Sequence, residues 1–180
     1  TGGMGAYSPA PVMTDAICAR VMEEMIGPTL RALKAMGSPY KGVLYAGVMI
    51  TKEGPKLVEY NARFGDPECQ VLMLRLETDV LDLLEATARG DLTGVAPKWR
   101  DETALTVVMA SRGYPVSAET GSVIRGVEGQ DAADLVIFHA GTATRNGDLI
   151  ANGGRVLNVT ALGTSVSAAQ ARAYAVVDRI

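Results

Sequence analysis

Two short apolar segments joined by a turn constrain the fold of this sequence more than any other feature. Residues 43–50 form a continuous apolar run, and residues 56–61 form a second segment of strand-forming character. The residues between them include a glycine followed by a proline, which favour a tight turn. The pattern therefore predicts a β-hairpin. On its second strand, side chains two residues apart point to the same face, so Glu59 and Asn61 should project together.

Helical patterns precede and follow the predicted hairpin. The first begins at Thr14 or Asp15, is broken at Pro28 and ends at Gly37, which gives one helix of about 20 residues. The next helix should be capped by Asp66 and have a proline as its first residue. The two helices predicted after the hairpin occupy residues 66–76 and 78–89.

A change of character at residues 91–102 indicates a domain boundary. This stretch contains a glycine, a proline and the only tryptophan. Beyond it, short strands separated by glycine turns and a closing helix are predicted at residues 104–110, 135–140, 149–151, 156–161 and 165–180. We therefore predict an α+β chain, with one domain at residues 1–96 and a small α+β domain at residues 97–180.

The composition favours a small-molecule partner over nucleic acid or a membrane. The net charge is -3, and the 17 lysines and arginines are scattered without a basic stripe or tail. No apolar run approaches the roughly 20 residues that span a bilayer, and the N-terminus does not resemble a signal peptide. Cys18 and Cys69 lie far apart, which favours reduced thiols, and we expect a cytoplasmic protein.

The run from Glu59 to Glu68 has the composition of a metal and phosphate site. The carboxylate of Glu59 and the amide oxygen of Asn61 suit Mg²⁺ or Mn²⁺. Arg63 can grip a phosphoryl oxygen if the strand continues that far. A glycine, two further carboxylates and a helix N-terminus follow, and the last attracts anions. The same residues also fit an exposed strand face followed by an ordinary helix start, and spacing alone favours that simpler interpretation.

The complete string at residues 59–70, EYNARFGDPECQ, resembles the signature of phosphoribosylamine-glycine ligases, also called glycinamide ribonucleotide synthetases. The resemblance extends along the chain to TGGMGAYSP at 1–9, GVLYAG at 42–47, RGYP at 112–115, FHAGT at 138–142 and GGRVL at 153–157. This family uses the ATP-grasp fold. The resemblance therefore implies the C-terminal lobe of an ATP-grasp domain at residues 1–96, followed by the small C-terminal domain of these synthetases.

The same resemblance implies roles for three residues and a reaction. Glu59 and Asn61 match the family's ligands for Mg²⁺ or Mn²⁺, and Arg63 matches a catalytic arginine beside the transferring phosphoryl group. In the implied reaction, the carboxylate of glycine attacks the γ-phosphate of ATP and gives glycyl phosphate. The amine of 5-phosphoribosylamine then displaces phosphate to form glycinamide ribonucleotide, a purine precursor. Charge stabilisation and positioning suffice for this chemistry, without a protein nucleophile.

The glycine-rich start of the chain has two interpretations that the sequence leaves open. Gly2, Gly3 and Gly5 either present backbone N–H groups to the carboxylate of glycine or the acyl phosphate, or form a tight connecting turn. Asp66 is a further candidate for cofactor binding, because it lies at a predicted helix start. Alternatively, Asp66 and Glu68 orient Arg63 without touching the cofactor.

Residues 101–180 offer few groups for other chemistry. His139 is the only histidine, so the chain cannot assemble a metal site of several histidines. The same region contains no lysine, which excludes a biotinyl or lipoyl attachment site there. Arg112, Arg125 and Arg155 lie beside glycines and could contact the ribose phosphate of the substrate, although an arginine-biased composition explains them equally well.

The chain begins at Thr1 without an initiator methionine, and we interpret it as the C-terminal portion of a longer enzyme. In the family that it resembles, a substrate domain and an ATP lid precede this point. The expected partners are therefore ATP, glycine, 5-phosphoribosylamine and the N-terminal half of the same protein, and the chain alone should be inactive. Two alternatives stay open: a noncatalytic fragment or assembly subunit that needs a partner chain, and another ATP-grasp carboxylate ligase.

Overall fold

The structure is a computed structural model that describes residues 3–180. Its α-helices are α1 (Asp15–Val21), α2 (Gly27–Ala35), α3 (Glu68–Arg75), α4 (Val80–Arg89) and α5 (Val166–Val177). Its strands are β1 (Gly5–Ser8), β2 (Tyr45–Thr51), β3 (Gly54–Asn61), β4 (Thr103–Ala110), β5 (Leu135–His139), β6 (Thr142–Arg145), β7 (Asp148–Ala151) and β8 (Arg155–Gly163). The predicted α+β class is confirmed.

The chain folds into two compact units, each built from separated segments. We call them the sheet unit and the hairpin unit. The sheet unit contains the described residues up to Ser8, together with Asp66–Glu77 and Lys98–Ile180, and the hairpin unit contains Pro9–Gly65 and Thr78–Pro97. One passage between the units, from Pro97 to Lys98, lies one residue after the predicted boundary between residues 96 and 97. That boundary stays a prediction about domains.

The first part of the hairpin unit is a long helical segment with a local change of winding. The backbone N–H of Ile17 donates to Oγ1 of Thr14 at 3.3 Å, which confirms Thr14 as the N-cap. A π-helical turn, Met22–Ile26, separates α1 from α2. Pro28 lies in the first turn of α2, the part of a helix that tolerates the missing N–H of proline best. The predicted break at Pro28 is therefore seen as a π turn that comes just before it.

The predicted hairpin is confirmed as β2 and β3, which pair antiparallel. Their register is interrupted between Gly47 and Val48, because Gly47 lies opposite Glu59 whereas Val48 lies opposite Leu57. One residue of β3 is therefore left without a partner, which is the arrangement of a β-bulge. The following helix of this unit, α4, is capped by Asp79 and ends at Gly90, whose φ of 75° suits glycine at a helix C-terminus.

The sheet unit is organised around four antiparallel strands in the order β1-β4-β8-β5. The neighbouring residues Ala104 and Leu105 of β4 are both buried but belong to different apolar clusters, so the two faces of the sheet are both covered. Helix α5 packs on the face of Leu105, where Leu157 and Val159 form the main core. Helix α3 packs on the other face.

Two strands and one helix cap differ from the sequence-based prediction. Strand β1 lies at the glycine-rich start of the chain, where no strand was predicted, and it forms because it pairs with β4. Strand β6, which is short and polar, pairs with β7 and was also missed. The prediction that Asp66 caps α3 is wrong, because α3 begins at Glu68 after Pro67 and has no side-chain cap.

A helix that crosses a bilayer needs about 20 predominantly apolar residues. Among residues 3–180, no helix is both long and apolar enough to cross a bilayer.

A buried pair of threonines on the α3 face of the sheet gives a testable effect on stability. The hydroxyl oxygens of Thr106 and Thr160 lie 2.7 Å apart, and the residues are 1% and 0% exposed. Replacing only Thr160 with valine should lower the free energy of unfolding by about 1–3 kcal/mol, because the other hydroxyl then loses its partner. Replacing both with valine should restore most of that loss in urea unfolding. A single variant as stable as the parent would contradict this expectation.

Candidate functional site

The polar pair Glu59 and Asn61 lies at the end of β3 in the hairpin unit. Nδ2 of Asn61 donates to Oε1 of Glu59 at 3.0 Å, which confirms that the two side chains share one face of the strand. Glu59 is exposed and Asn61 is partly exposed. Because the amide N–H makes this bond, the amide oxygen of Asn61 remains oriented for another contact. The pair therefore offers a carboxylate and an amide oxygen to solvent.

Tyr60, which lies between Glu59 and Asn61, holds strand β3 from the opposite face. The hydroxyl oxygen of Tyr60 lies 2.9 Å from Oγ1 of Thr29, a residue of α2. This bond is partly buried and joins residues 31 positions apart in the sequence. It holds β3 against the helical segment while the neighbouring side chains of Glu59 and Asn61 face the other way.

Gly47 provides the space in which the Glu59 side chain lies, and the sequence analysis did not identify it. A Cβ atom at Gly47 would stand 3.2 Å from Cγ of Glu59, which is closer than ordinary contact. Gly47 faces Glu59 across the hairpin at the β-bulge. The available signal was a glycine inside an otherwise apolar strand, which often marks a bulge or a close approach.

Arg63 lies beyond the strand that carries the polar pair. The strand ends at Asn61, so the conditional expectation that Arg63 shares the same strand face is wrong. The Arg63 side chain is exposed, and its Nη1 donates to the carbonyl oxygen of Phe64 at 2.8 Å. The bond to its neighbour limits the guanidinium orientation and leaves further N–H groups for a ligand.

Asp66 is engaged by other protein side chains. Its Oδ1 accepts from Nε2 of Gln70 at 3.1 Å, and its Oδ2 accepts from Nη2 of Arg155 at 2.9 Å. Both carboxylate oxygens therefore have protein partners within the sheet unit. The proposed contact between Asp66 and a cofactor stays a prediction.

The glycine-rich start contains residues with different local structure. Gly2 lies outside the described residues. The carbonyl oxygen of Gly3 accepts from Nη1 of Arg155 at 3.2 Å, and a Cβ atom at Gly3 would lie 2.9 Å from Cδ of Pro67. Gly5 is part of β1 and pairs with Val107. The close approach to Pro67 is the local reason for glycine at position 3, while ligand binding by Gly3 and Gly5 stays a prediction.

The thiol within the signature does not have the electrostatics of a nucleophile. Burial raises the pKa of Cys69, and the nearby carboxylate of Asp66 raises that pKa further. A raised pKa favours the protonated thiol at neutral pH, and the thiolate is the reactive form. Cys69 therefore lacks the activation expected of a catalytic cysteine.

Two further residues considered in the sequence analysis, Arg125 and His139, have nearby protein partners. Arg125 forms an ion pair with Asp148 at 2.9 Å. Nδ1 of His139 lies 2.9 Å from Oγ1 of Thr142, and His139 is exposed. Within residues 3–180, no cluster of three or more His, Cys, Asp or Glu side chains has a metal-binding arrangement. A metal at Glu59 and Asn61 would therefore need further oxygen ligands from nucleotide or water.

Comparison with solved structures defines the class of fold. The chain is similar to phosphoribosylamine-glycine ligase from Thermotoga maritima, with a TM-score of 0.87 and 33% identity over 99% of this chain and 44% of that one. It also resembles N5-carboxyaminoimidazole ribonucleotide synthetase from Thermus thermophilus in fold, with a TM-score of 0.59 at 18% identity over 98% of this chain and 42% of that one. These similarities and the elements described above define part of an ATP-grasp protein.

Sequence comparison identifies the family within this class. The family model described as "Phosphoribosylglycinamide synthetase, ATP-grasp (A) domain" matches residues 1–69, and the model of the C domain of the same synthetase matches residues 104–180. The phosphoribosylamine-glycine ligase of Mesorhizobium japonicum is 62% identical over the whole chain, which spans 42% of that relative. The chain belongs to the phosphoribosylamine-glycine ligase family and corresponds to its C-terminal part.

Proposed function

We propose that this chain forms the metal- and phosphate-binding part of a ligase that joins glycine to 5-phosphoribosylamine at the expense of ATP. The observation that carries the proposal is the shared face of Glu59 and Asn61, whose side chains are joined by a 3.0 Å hydrogen bond. Membership of the phosphoribosylamine-glycine ligase family supports the substrates. The chain spans about two-fifths of the Mesorhizobium relative, so the proposed activity belongs to a longer protein.

Glu59 and Asn61 have the donor atoms that a divalent cation requires. The Glu59 carboxylate and Asn61 amide are hard oxygen donors, and both side chains reach solvent on one strand face. We assign them as the residues that would hold Mg²⁺ or Mn²⁺ beside the phosphates of the nucleotide. When bound, the cation neutralises charge on the transferring phosphoryl group.

Arg63 provides the chain's second contribution to phosphoryl transfer. Its guanidinium is exposed, so it can donate two hydrogen bonds to phosphate oxygens. The carboxylate of glycine forms a bond to the γ-phosphorus as the bond to ADP breaks. Arg63 stabilises the negative charge on the oxygens of that group.

The second step forms the amide bond. The amine nitrogen of 5-phosphoribosylamine attacks the carbonyl carbon of glycyl phosphate, phosphate leaves, and the nitrogen loses a proton. The raised pKa of Cys69 agrees with a route in which no thiolate attacks. The role of the protein is then to position the reactants and stabilise charge.

A hybrid ligase tests the proposal directly. Residues 1–180 of this chain replace the matching segment of the Mesorhizobium japonicum protein, whose sequence aligns along all 180 residues. The hybrid should release ADP only when ATP, Mg²⁺, glycine and 5-phosphoribosylamine are all present, and it should form glycinamide ribonucleotide. The unaltered Mesorhizobium protein is the positive control. A folded hybrid without this activity would contradict the proposal.

Two further experiments distinguish the proposed function from its alternatives. If the chain is an assembly subunit, mixing it with the remaining part of the Mesorhizobium protein as a separate chain should restore activity without covalent connection. If the chain belongs to another carboxylate ligase, the hybrid should release ADP with a different acid or amine and remain inactive with glycine. The chain alone should be inactive in every arm.

Substitution of Gly47 should weaken metal binding without unfolding the hairpin. A methyl group at residue 47 would lie closer to Cγ of Glu59 than ordinary contact allows, so the exposed Glu59 side chain must shift by a few tenths of an ångström. In the hybrid ligase, Gly47→Ala should raise the Mg²⁺ concentration needed for half-maximal rate by several-fold. Residues that position a metal ligand without touching the metal affect metal affinity in this way. The matched control is Ala46→Ser at the adjacent position. An unchanged Mg²⁺ requirement in Gly47→Ala would contradict the assigned role.

A further inference from the structure

We propose that Arg155 is a positioning residue for the ligase reaction and does not bind the substrate's ribose phosphate. This inference rests on the proposed function. The Arg155 guanidinium donates from Nη1 to the carbonyl oxygens of Gly3 and Asp66, at 3.2 Å and 2.8 Å, and from Nη2 to the Asp66 carboxylate at 2.9 Å. One side chain thereby joins two segments that the sequence separates by more than sixty positions, as the numbering of Gly3 and Asp66 shows.

The backbone of Arg155 is held by strand β4 and by the connection between β5 and β6. Arg155 begins β8 and pairs with Ala110 of β4. Its carbonyl oxygen accepts from the backbone N–H of Gly141 at 2.9 Å. Ser111 adds two bonds to the residues immediately before it, from its hydroxyl to Gly153 and from its backbone N–H to Gly154. A guanidinium that starts from such a fixed backbone can hold its partners in a defined place.

The far end of the side chain is equally constrained. The second carboxylate oxygen of Asp66 is bonded to Gln70 of α3, so the carboxylate has two fixed partners. Pro67 is fully buried, and Gly3 lies against its ring with no room for a Cβ atom. Arg155 is 23% exposed at its side chain, compared with 72% for Arg125 in its ion pair with Asp148. Arg155, Gly3 and Asp66 therefore form a fixed group inside the sheet unit, which we call the anchor.

The anchored residues are neighbours in sequence of the proposed reactive groups. Phe64 and Gly65 alone separate Asp66 from Arg63, so a fixed Asp66 restricts the conformations available to the segment that carries the Arg63 guanidinium. Gly3 belongs to the glycine-rich start that is a candidate for binding an acyl phosphate. The contacts use both hydrogens of Nη1 and one of Nη2, so three of the five N–H groups of the Arg155 guanidinium already have protein partners.

Kinetics of the hybrid ligase distinguish positioning from substrate binding. Arg155→Met should lower kcat by about ten- to a hundredfold, because small displacements of reacting groups are costly, and should leave the KM for 5-phosphoribosylamine unchanged. Arg155→Lys should recover only part of the rate, since an ammonium cannot reproduce the planar fork. The matched control is Arg172→Met, which removes a 2.6 Å ion pair with Asp134 on the same unit and should leave the kinetics unchanged.

A double variant tests whether Arg155 acts through Asp66. If it does, the double variant Arg155→Met, Asp66→Asn should be no slower than the slower of the two single variants. The reason is that each substitution removes the same interaction between the two side chains. Multiplying effects would overturn the proposal. A rise in the KM for 5-phosphoribosylamine with unchanged kcat would also overturn it and assign Arg155 to the substrate.

Hydrogen exchange on the 180-residue chain tests the anchor without any assay of ligation. Arg155→Met should speed amide exchange in peptides that cover residues 3–8 and 66–70, whereas Arg172→Met should not. Unchanged exchange in Arg155→Met would overturn the anchor even if the hybrid ligase is active. An inactive parent hybrid combined with faster exchange would reject the proposed function and leave the anchor intact.

Discussion

Replacing Glu59 with alanine in the hybrid ligase should lower kcat for glycine-dependent ADP release by about a hundredfold or more. The substitution removes one of two assigned metal donors and also frees the Asn61 amide, which now donates to Glu59 at 3.0 Å. The fold should persist, because the Glu59 side chain is exposed. A coupled assay of ADP release at saturating Mg²⁺ measures the effect, and circular dichroism checks the fold.

The same hairpin supplies a matched control for Glu59. Glu53 lies beside the turn between β2 and β3, pairs with Lys56 at 2.9 Å and has a side chain that is 79% exposed. Glu53→Ala should therefore retain the parent rate. Glu59→Gln separates charge from shape, because glutamine can still accept the bond from Asn61, and it should be nearly as slow as Glu59→Ala. Full activity in Glu59→Ala would contradict the assignment of Glu59 as a metal ligand.

Leu157→Ala should cause the largest loss of stability among simple substitutions in the sheet unit. Leu157 is 1% exposed and belongs to the core between β8 and α5. Truncation leaves a cavity as well as losing apolar burial, so the free energy of unfolding should fall by about 2–5 kcal/mol. Fluorescence of Trp99, the only tryptophan and a residue of the same unit, follows unfolding in urea.

Val116→Ala is the control for Leu157→Ala, because Val116 is 94% exposed. Its urea midpoint should remain close to that of the parent. Comparable slopes of the transitions are needed before the midpoints are compared, since the slope reports the surface exposed on unfolding. A Leu157→Ala midpoint as high as that of Val116→Ala would show that the core tolerates the truncation.

The parts of the fold that local sequence signals determine were predictable. Thr14 caps its helix through a bond three residues away, and Gly90 ends another helix with a positive φ. The hairpin followed from two apolar segments and their turn. The shared face of Glu59 and Asn61 followed from the period of an extended strand. Each of these depends on residues close together in the chain.

The parts that depend on distant partners were not predictable from local pattern. Strand β1 has only four residues and forms against β4, so its own sequence carried little strand signal. Asp66 has the sequence context of a helix cap, yet Gln70 and Arg155 take both of its carboxylate oxygens. The space that Gly47 leaves for Glu59 depends on the bulge in the hairpin register. Tertiary contacts outweigh local preference in each case.

The pairing of β1 with β4 has a consequence for the order of events during synthesis. Gly5 pairs with Val107, so the edge strand emerges from the ribosome long before its partner exists. The whole hairpin unit lies between β1 and β4 in the sequence, so it can fold while β1 still has no partner strand. Contacts of such long sequence separation form late, and an unpaired strand is open to wrong partners in the interval. Slower translation after residue 97 should therefore lengthen the period of exposure without changing the final structure.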